Sequence, residues 1–259
     1  MDFILSADDF GYSTDTVDRT IACFDDGILT SASIMANMPE TLAAAAYAKA
    51  HPGFSFGTHL CYCDGEFERP TSDPSKIPSL VDEHGRFWST RGMIGRALTG
   101  RLVVSDIEVE TEAQLSRLSD LGVRLCYVDG HGNLHKFAPF VEALRTVLPR
   151  FNIRKVRRTQ DTYLKSAWAR PNFWLGKHWN KAIDRHFLST SSFYLPASTE
   201  DKHWGEALLS QISAQHGVME IGVHPGLEAW RAGEEADIRS FARLASAAGV
   251  QITSWDQLT

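Results

Sequence analysis

Long apolar runs are missing from this sequence of 259 residues. No stretch approaches the roughly 18 or more apolar residues that a transmembrane helix requires, so we expect no stable insertion in a membrane. The N-terminus also lacks the pattern of a secretory signal peptide, because Asp2 stands where a basic residue is usual and the apolar run after it is short. We therefore expect a cytoplasmic protein.

An excess of positive charge is also absent. The chain has 26 Lys and Arg against 32 Asp and Glu, which gives a net charge of −6 and a pI near 5.9. This balance provides no basic surface of the kind that nucleic acids bind, so we expect no nucleic-acid partner. The sequence carries no signal for the oligomeric state, and a homodimer is expected only because two-fold dimers are the commonest oligomers.

Cysteine is scarce, with four residues scattered along the chain, and reduced thiols are the default interpretation. Cys61 and Cys63 closely follow His59 and could belong to a zinc site. However, residues along a strand alternate between its two faces, and the sequence has no second cysteine pair to complete such a site. We do not assign a zinc–cysteine centre.

Short apolar runs alternate with helical patterns, which is typical of a parallel α/β fold. The predicted strands lie at 3–7, 28–35, 54–60, 123–128, 152–157, 218–224 and 250–254, and the predicted helices at 15–26, 40–50, 105–122, 139–148 and 237–248. Ser105 is the predicted N-cap of the third helix. Because α/β barrels of this length commonly form one domain, we predict a single α/β domain over residues 1–259.

Two segments lack a clear period. Residues 64–90 are rich in Pro, Ser, Asp and Gly and are predicted to form a long functional loop. Residues 160–216 hold four of the seven tryptophans and are predicted to be an irregular, Trp-rich insertion. Basic and aromatic residues interleave between positions 165 and 185, so this part could bind a substrate with an anionic or lipid carrier. A packed helical insertion and a subunit contact are the alternatives.

Polar residues recur at the carboxyl ends of the predicted strands, where active sites assemble in parallel α/β barrels. They are Asp8, Asp9, His59, His131, Arg157 and His224. A single histidine at a strand end is usually structural, but six such residues at the same end are hard to explain by packing. Two imidazoles and one carboxylate suit a zinc-like ion with an open coordination position. The second carboxylate is then free to act as a base, and His224 as an acid.

Four motifs in sequence order resemble those of the YdjC-like carbohydrate deacetylases. They are Ala7-Asp8-Asp9-Phe10-Gly11, Gly57-Thr58-His59-Leu60, Asp129-Gly130-His131-Gly132-Asn133-Leu134-His135 and Glu220-Ile221-Gly222-Val223-His224-Pro225-Gly226. The second strand and the turn after it, at 28–39, are also similar to that family, whereas residues 160–216 contribute nothing. Each motif alone is short, but together and in order they are specific.

The resemblance implies a distorted (β/α) TIM-like barrel that hydrolyses the acetamide of an N-acetylated amino sugar and releases acetate. It implies one divalent ion held by Asp9, His59 and His131, with zinc the first choice and magnesium or another ion as alternatives. It further implies that Asp8 is the base for attack by a metal-bound water. His224 would be the acid that protonates the amine.

The resemblance also implies residues that contact the substrate. Arg157 could orient Asp8 or bind substrate, and His135 could contact substrate or hold His131. Asn133 and Trp88 complete the predicted substrate-binding set. The chain departs from the family pattern at Ser6, where the family commonly has Asn, and at Asn133, where it commonly has His. The second departure puts the identity of the sugar in doubt.

Two other functions are compatible with the same residues. A barrel metallohydrolase acting on a phosphoester or another amide would use a similar Asp/His set. An inactive, carbohydrate-binding relative is the alternative from a different class. A free carboxylate beside the presumed ligands argues against it, since a binding protein needs no base.

Overall fold

Strands and helices alternate along the chain in the computed structural model, which describes residues 1–64, 68–165, 168, 170–199, 201–212 and 216–259. The strands are β1 (Asp2–Phe10), β2 (Ser31–Ile34), β3 (Ser55–Leu60), β4 (Leu125–Gly130), β5 (Lys155–Val156), β6 (Ser192–Tyr194), β7 (Val218–Val223) and β8 (Ile252–Thr253). The α-helices are α1 (Thr14–Asp25), α2 (Thr41–Ala50), α3 (Thr90–Leu98), α4 (Val104–Asp120), α5 (Ala138–Val147), α6 (Pro171–Asp184), α7 (Pro196–Thr199), α8 (Gly205–Ile212) and α9 (Ala229–Ala247).

The strands form one sheet in the order β5-β4-β3-β2-β1-β7-β6, and β8 pairs with β1 as well. All pairings between these strands are parallel. The sheet curves into a half-barrel surrounded by helices, which confirms the predicted α/β class and the distorted, TIM-like, single-domain fold.

The central strand β1 is buried along nearly its whole length, as expected for a parallel sheet covered on both faces. Phe3, Leu5 and Ala7 belong to the main apolar core, which also takes residues from the surrounding helices. Successive side chains of a strand alternate, so Ser6 and Asp8 face the opposite side. On that side the hydroxyls of Ser6 and Tyr127 lie 2.9 Å apart, and the alternation continues toward Asp8 at the carboxyl end of the strand.

Two local predictions are wrong. Helix α9 begins at Ala229 rather than at 237, because its first turns contain Gly233 and too few apolar residues to show a period. Helix α4 begins at Val104 with Val103 as its N-cap, so Ser105 lies inside the first turn. The predicted loop at 64–90 ends as expected, where α3 begins at Thr90.

The segment at 160–216 is not irregular throughout. Strand β6 lies within it and pairs with β7, while α6 and α8 are regular helices. Helix α6 was not predicted because its burial pattern reverses the usual amphipathic one. Its buried positions include Gly176, Asn180 and Ile183, whereas Phe173 and Trp174 are exposed. Strand β6 is too short to show alternation.

No helix among the described residues is long and apolar enough to cross a membrane.

Candidate active site

Asp8 and Asp9 both lie at the carboxyl end of β1, where an irregularity in the backbone turns them toward one region. Asp9 has a left-handed backbone with φ of 59°, which few residues other than glycine adopt. The register of β1 against β2 shifts between Ala7 and Phe10. A regular strand would send two successive side chains to opposite faces, so this bulge lets both carboxylates reach the same site.

Asp9, His59 and His131 come together as predicted. The Asp9 Oδ1 atom lies 3.4 Å from His59 Nε2 and 3.2 Å from His131 Nδ1. One donor atom from each of the three residues lies within 4.8 Å of the other two. His59 is the penultimate residue of β3, and His131 follows β4 directly in a 3-10 turn. The geometry therefore offers three convergent ligand atoms of the types that a zinc-like ion takes.

The electrostatics of this cluster favour a positive charge. Burial opposes ionisation of Asp9, yet the hydrogen bond and charge of His131, with the charges of His224 and His59, hold the pKa of Asp9 well below its usual range. Burial would lower the pKa of His131, but its contacts with Asp9 raise that pKa to about 10. The Asp9 carboxylate thus stabilises a cation between these side chains, whether a proton or a metal ion.

A second carboxylate lies near each of the two imidazoles, Asp129 near His59 and Asp64 near His131. Asp129 Oδ1 lies 2.8 Å from His59 Nδ1, which leaves Nε2 facing Asp9. This carboxylate–histidine arrangement fixes the ring in many metal sites. On the other ring, Asp64 Oδ2 lies 3.9 Å from His131 Nε2, and the amide of Thr90 donates to Asp64 Oδ1 over 2.8 Å.

Cys63 joins Asp64 and His131 in a second set of donor atoms. Cys63 is a free, buried thiol. This set shares His131 with the first, so the two sets form one continuous group around that imidazole. The Cys61 thiol is directed to the carbonyl oxygen of Cys63 over 3.5 Å, and it belongs to neither donor set among the described residues.

Arg157 is buried at the centre of three carboxylates. Its Nη1 lies 2.7 Å from Asp8 Oδ2, and its Nη2 lies 2.7 Å from Glu220 Oε1. Nη1 also lies 2.7 Å from Asp129 Oδ2, an ion-pair contact without hydrogen-bond alignment. Because Arg157 is only 1% exposed, its position favours orienting Asp8 and does not support the predicted contact with substrate.

Burial makes this network sensitive to protonation. Desolvation raises the pKa of Glu220 to about 7, although Arg157 opposes the shift. For Asp129, burial is outweighed by the charges of Arg157 and His59, which lower its pKa to about 2. The pKa values of Glu220 and Asp129 are therefore well separated.

His224 follows β7 and faces Asp8. Its Nε2 lies 3.9 Å from Asp8 Oδ2, and its Nδ1 lies 3.0 Å from Glu234 Oε2. The backbone amide of His224 donates to the same Glu234 oxygen over 2.9 Å. Burial lowers the pKa of His224, but the hydrogen bond and charge of Glu234 raise it above its usual range. The imidazole is thus held with Nε2 toward Asp8 and is favoured in its protonated form.

Arg231 covers the other side of Asp9. Its Nη2 lies 2.9 Å from Asp9 Oδ2, the oxygen that does not approach the two histidines. Its guanidinium stacks over Trp230, with 4.5 Å between its Cζ and the ring centroid. Arg231 therefore fixes the rotation of the Asp9 carboxylate.

The remaining predicted residues lie close to this cluster without joining it. His135 is buried, and its Nε2 lies 3.0 Å from the carbonyl oxygen of Arg157. Burial lowers its pKa to about 4, so the ring is neutral and supports the Arg157 backbone. Asn133 is half-buried with φ of 54° in the turn after His131. Trp88 is half-buried, and its carbonyl accepts from the amide of Asp64 over 3.1 Å.

Sequence reasoning missed several supporting residues. Asp129 was visible as part of a motif but had no assigned role. Glu220 is a carboxylate within an otherwise apolar strand, a signal that should have marked it. Arg231 and Glu234 lie in the part of α9 that was not predicted as helix, so their spacing on one face could not be recognised.

The tryptophans of the basic and aromatic segment between positions 165 and 185 differ in their environment. Trp179 packs against Phe137, with ring centroids 5.4 Å apart, and Lys136 Nζ lies 4.5 Å from the Trp179 centroid. The packed-helix alternative therefore describes Trp179. Trp168 and Trp174 are exposed, and their role stays a prediction.

The fold and the buried Asp–His–His cluster define an α/β barrel protein with a potential metal site at the carboxyl ends of its strands. A model of the YdjC-like protein family matches residues 2–250, and the chain belongs to this family. The predicted family is thus confirmed.

Two curated relatives of this chain are both named carbohydrate deacetylase. A carbohydrate deacetylase from Geobacillus stearothermophilus is 40% identical over 159 residues, which cover 60% of this chain and 59% of the relative. That match spans less than two thirds of the relative's own length. A carbohydrate deacetylase from Thermoanaerobacter pseudethanolicus is 31% identical over 225 residues, 86% of this chain and 80% of the relative.

Solved structures agree in fold. A candidate cellobiose-phosphate cleavage protein from Enterococcus faecalis superposes with a TM-score of 0.80 at 18% identity, covering 99% of this chain and 98% of that one. A family 4 carbohydrate esterase from Streptomyces lividans, in complex with acetate, gives a TM-score of 0.53 at 11% identity, with coverage of 99% and 95%. These likenesses concern the fold alone.

Proposed function

We propose that this protein hydrolyses the acetamide of an N-acetylated amino sugar, giving the free amine and acetate. The observation that carries the proposal is the convergence of a three-residue donor set, Asp9, His59 and His131, beside the Asp8 carboxylate and the His224 imidazole, whose Nε2 lies 3.9 Å from Asp8 Oδ2. The curated relatives named carbohydrate deacetylase supply the substrate class.

Asp9, His59 and His131 would hold one divalent ion. They fit such an ion because their donor atoms converge and because Asp129 leaves the His59 Nε2 atom free to bind. Two imidazoles and one carboxylate favour zinc, although magnesium or another ion can occupy similar sites. A bound divalent ion would acidify water and polarise the amide carbonyl oxygen.

Asp8 is the proposed base. Arg157 holds its Oδ2 atom, while its Oδ1 atom is buried without a hydrogen-bond partner among the described residues. Oδ1 can therefore accept a proton from the water that attacks the acetamide carbonyl carbon. A base fixed in this way is positioned before substrate arrives.

His224 is the proposed acid. Glu234 holds its Nδ1 atom and raises its pKa, so Nε2 can carry the proton to be transferred. When the bond between carbon and nitrogen breaks, that proton passes to the amine nitrogen, and the acetyl group leaves as acetate. The cycle closes when Asp8 releases the proton taken from water, His224 takes up one proton, and the acetic acid loses its remaining proton to leave as acetate.

Asn133 and Trp88 remain the proposed substrate contacts near the site. Both are partly accessible and lie beside His131 and Asp64 respectively. Sugar hydroxyls would hydrogen-bond to the Asn133 amide, and the Trp88 indole would pack on the pyranose ring.

The proposal is tested by measuring acetate release from a panel of N-acetylated hexosamines. We expect release by the metal-loaded protein, its loss after chelation and its recovery when zinc is returned. The same preparations are tested with phosphoesters for phosphate release. Phosphate release without acetate release would contradict the proposal and favour the phosphoesterase alternative. Binding of the sugars without either product would favour the inactive relative.

A further inference from the structure

Cys63, Asp64 and His131 form a second group of donor atoms next to the proposed metal ligands. One ligand atom from each of the three residues lies within 4.8 Å of the other two. A thiolate, a carboxylate and an imidazole are all ligand types that zinc takes in proteins. The sequence has no second cysteine pair, but a site of mixed ligands needs none.

The two nitrogen atoms of the His131 ring face different donor sets. Nδ1 lies 3.2 Å from Asp9 Oδ1, in the set that contains His59, whereas Nε2 lies 3.9 Å from Asp64 Oδ2. Because the two nitrogens point in different directions, one imidazole can bind an ion on each side once it has lost both ring protons. The two sets can therefore be filled at the same time.

Solvent exposure distinguishes an inner from an outer position. The side chains of Asp9 and His59 are each 4% exposed, whereas those of Asp64 and His131 are 40% and 25% exposed. The second set is therefore the outer one, and an ion can reach it directly from solvent. Two divalent ions on one imidazole repel each other, so the outer position should fill after the inner one.

Thr90 holds the two outer ligands toward each other. Its backbone amide donates to Asp64 Oδ1 over 2.8 Å. Its hydroxyl contacts both Asp64 Oδ2 and, over 3.5 Å, Cys63 Sγ. Cys63 is a free, buried thiol at this point. Hydrogen bonds behind the ligands fix their orientation in many metal sites, so the outer set is arranged before an ion arrives.

We propose that Cys63, Asp64 and His131 form an outer metal site that binds a second, thiophilic divalent ion such as zinc. Binding forms a bond from the ion to Cys63 Sγ and another to His131 Nε2, and the protons on these two atoms pass to solvent. No electron is transferred. The site goes beyond the proposed function, because the hydrolysis of an acetamide does not require it.

An ion in the outer site would lie beside the proposed substrate contacts. The Trp88 carbonyl accepts from the Asp64 amide over 3.1 Å, and Asn133 is two residues after His131. We therefore expect excess zinc to inhibit acetate release. This consequence, unlike the site itself, rests on the proposed function.

The test uses Co²⁺ as the probe, because a bond between cobalt and a thiolate gives a near-ultraviolet charge-transfer band that nitrogen and oxygen ligands do not give. The reduced, metal-free protein is titrated with Co²⁺ while its absorption is recorded. The bound ions are counted by equilibrium dialysis. We expect two ions per chain, with the band appearing only as the second ion binds.

Two variants and a control assign the ligands. Cys63→Ser should bind one ion and show no band. Asp64→Asn keeps the thiol but should weaken binding of the second ion at least about tenfold, since even the loss of a partner behind a ligand costs that much. The matched control is Cys61→Ser, which removes a buried thiol that belongs to no donor set among the described residues and should keep both ions and the band.

Inhibition by zinc gives a second readout. The zinc concentration that halves acetate release should rise about tenfold or more in Cys63→Ser and stay unchanged in Cys61→Ser. Equal inhibition of the two variants would overturn the proposed effect of the outer ion on turnover.

The cobalt measurements can overturn the site itself. One bound ion that shows the band would make Cys63 a ligand of a single shared site. A single ion without the band would mean that the outer site does not form. Two ions without the band, or a band that survives in Cys63→Ser, would show that the thiol is not a ligand. None of these readouts needs turnover, so two ions with the band support the outer site even if no sugar releases acetate.

Discussion

Arg157 is expected to stabilise the fold by neutralising buried carboxylates, and Arg157→Gln removes that charge. Asp8, Asp129 and Glu220 would then lie in the barrel interior without the guanidinium that pairs with all three. Breaking a buried pair by deleting one partner costs about 3–5 kcal/mol. For a chain of this size, that cost lowers Tm by roughly 6–20 °C. Thermal and urea unfolding of the two proteins measure the loss directly.

The pH dependence adds an independent check on the cause. Without Arg157, its charge no longer opposes the effect of burial, so the pKa of Glu220 in the folded state rises further above its unfolded value, and that of Asp129 rises as well. The folded variant then binds more protons than the unfolded chain, so its stability falls as pH rises, and the deficit should be larger near pH 8 than near pH 5.

The control for this prediction is Arg145→Gln, which breaks an exposed pair with Glu142 within α5. Because both side chains are about half exposed, with values of 51% and 48%, the loss should be less than about 1 kcal/mol. The reasoning is refuted if Arg157→Gln costs no more than Arg145→Gln, or if its deficit is independent of pH.

Two further predictions concern the metal and the acid. His59→Ala and His131→Ala should abolish tight zinc binding measured by calorimetry, whereas His135→Ala should retain most of it, since His135 is hydrogen-bonded to the carbonyl of Arg157 and belongs to no donor set with Asp9. Equal loss in all three variants would mean that a ligand is misassigned. Glu234→Gln should lower the pKa of His224 and move the basic limb of the pH–rate profile to lower pH with metal content unchanged, and an unmoved limb would show that His224 is not the acid.

Sequence patterns predicted the α/β class and the residues that meet in the candidate site for a physical reason. In a parallel sheet the carboxyl ends of all strands share one edge, so a strand prediction also places the residue that ends it. His59, His131 and His224 needed only that geometry and the order of the motifs. The supporting contacts depend on tertiary packing, which brings α9 and its Glu234 against the end of β7.

The unpredicted parts are those in which local pattern and tertiary role disagree. Helix α6 buries Gly176 and Asn180 while it exposes Trp174, so hydrophobic periodicity misdirects the prediction. The bulge at Asp9 has no sequence signature, since aspartate rarely adopts a left-handed backbone. Its existence explains how two adjacent carboxylates serve one site.

The separate roles of Asp8 and Asp9 are the central claim. Metal content and turnover should be measured together for Asp8→Asn and Asp9→Asn. We expect Asp8→Asn to keep its metal and lose roughly a hundredfold or more in turnover, without rescue by added metal. Asp9→Asn should lose metal and recover partly in excess metal. An empty metal site in Asp8→Asn beside a full one in Asp9→Asn would contradict the assignment.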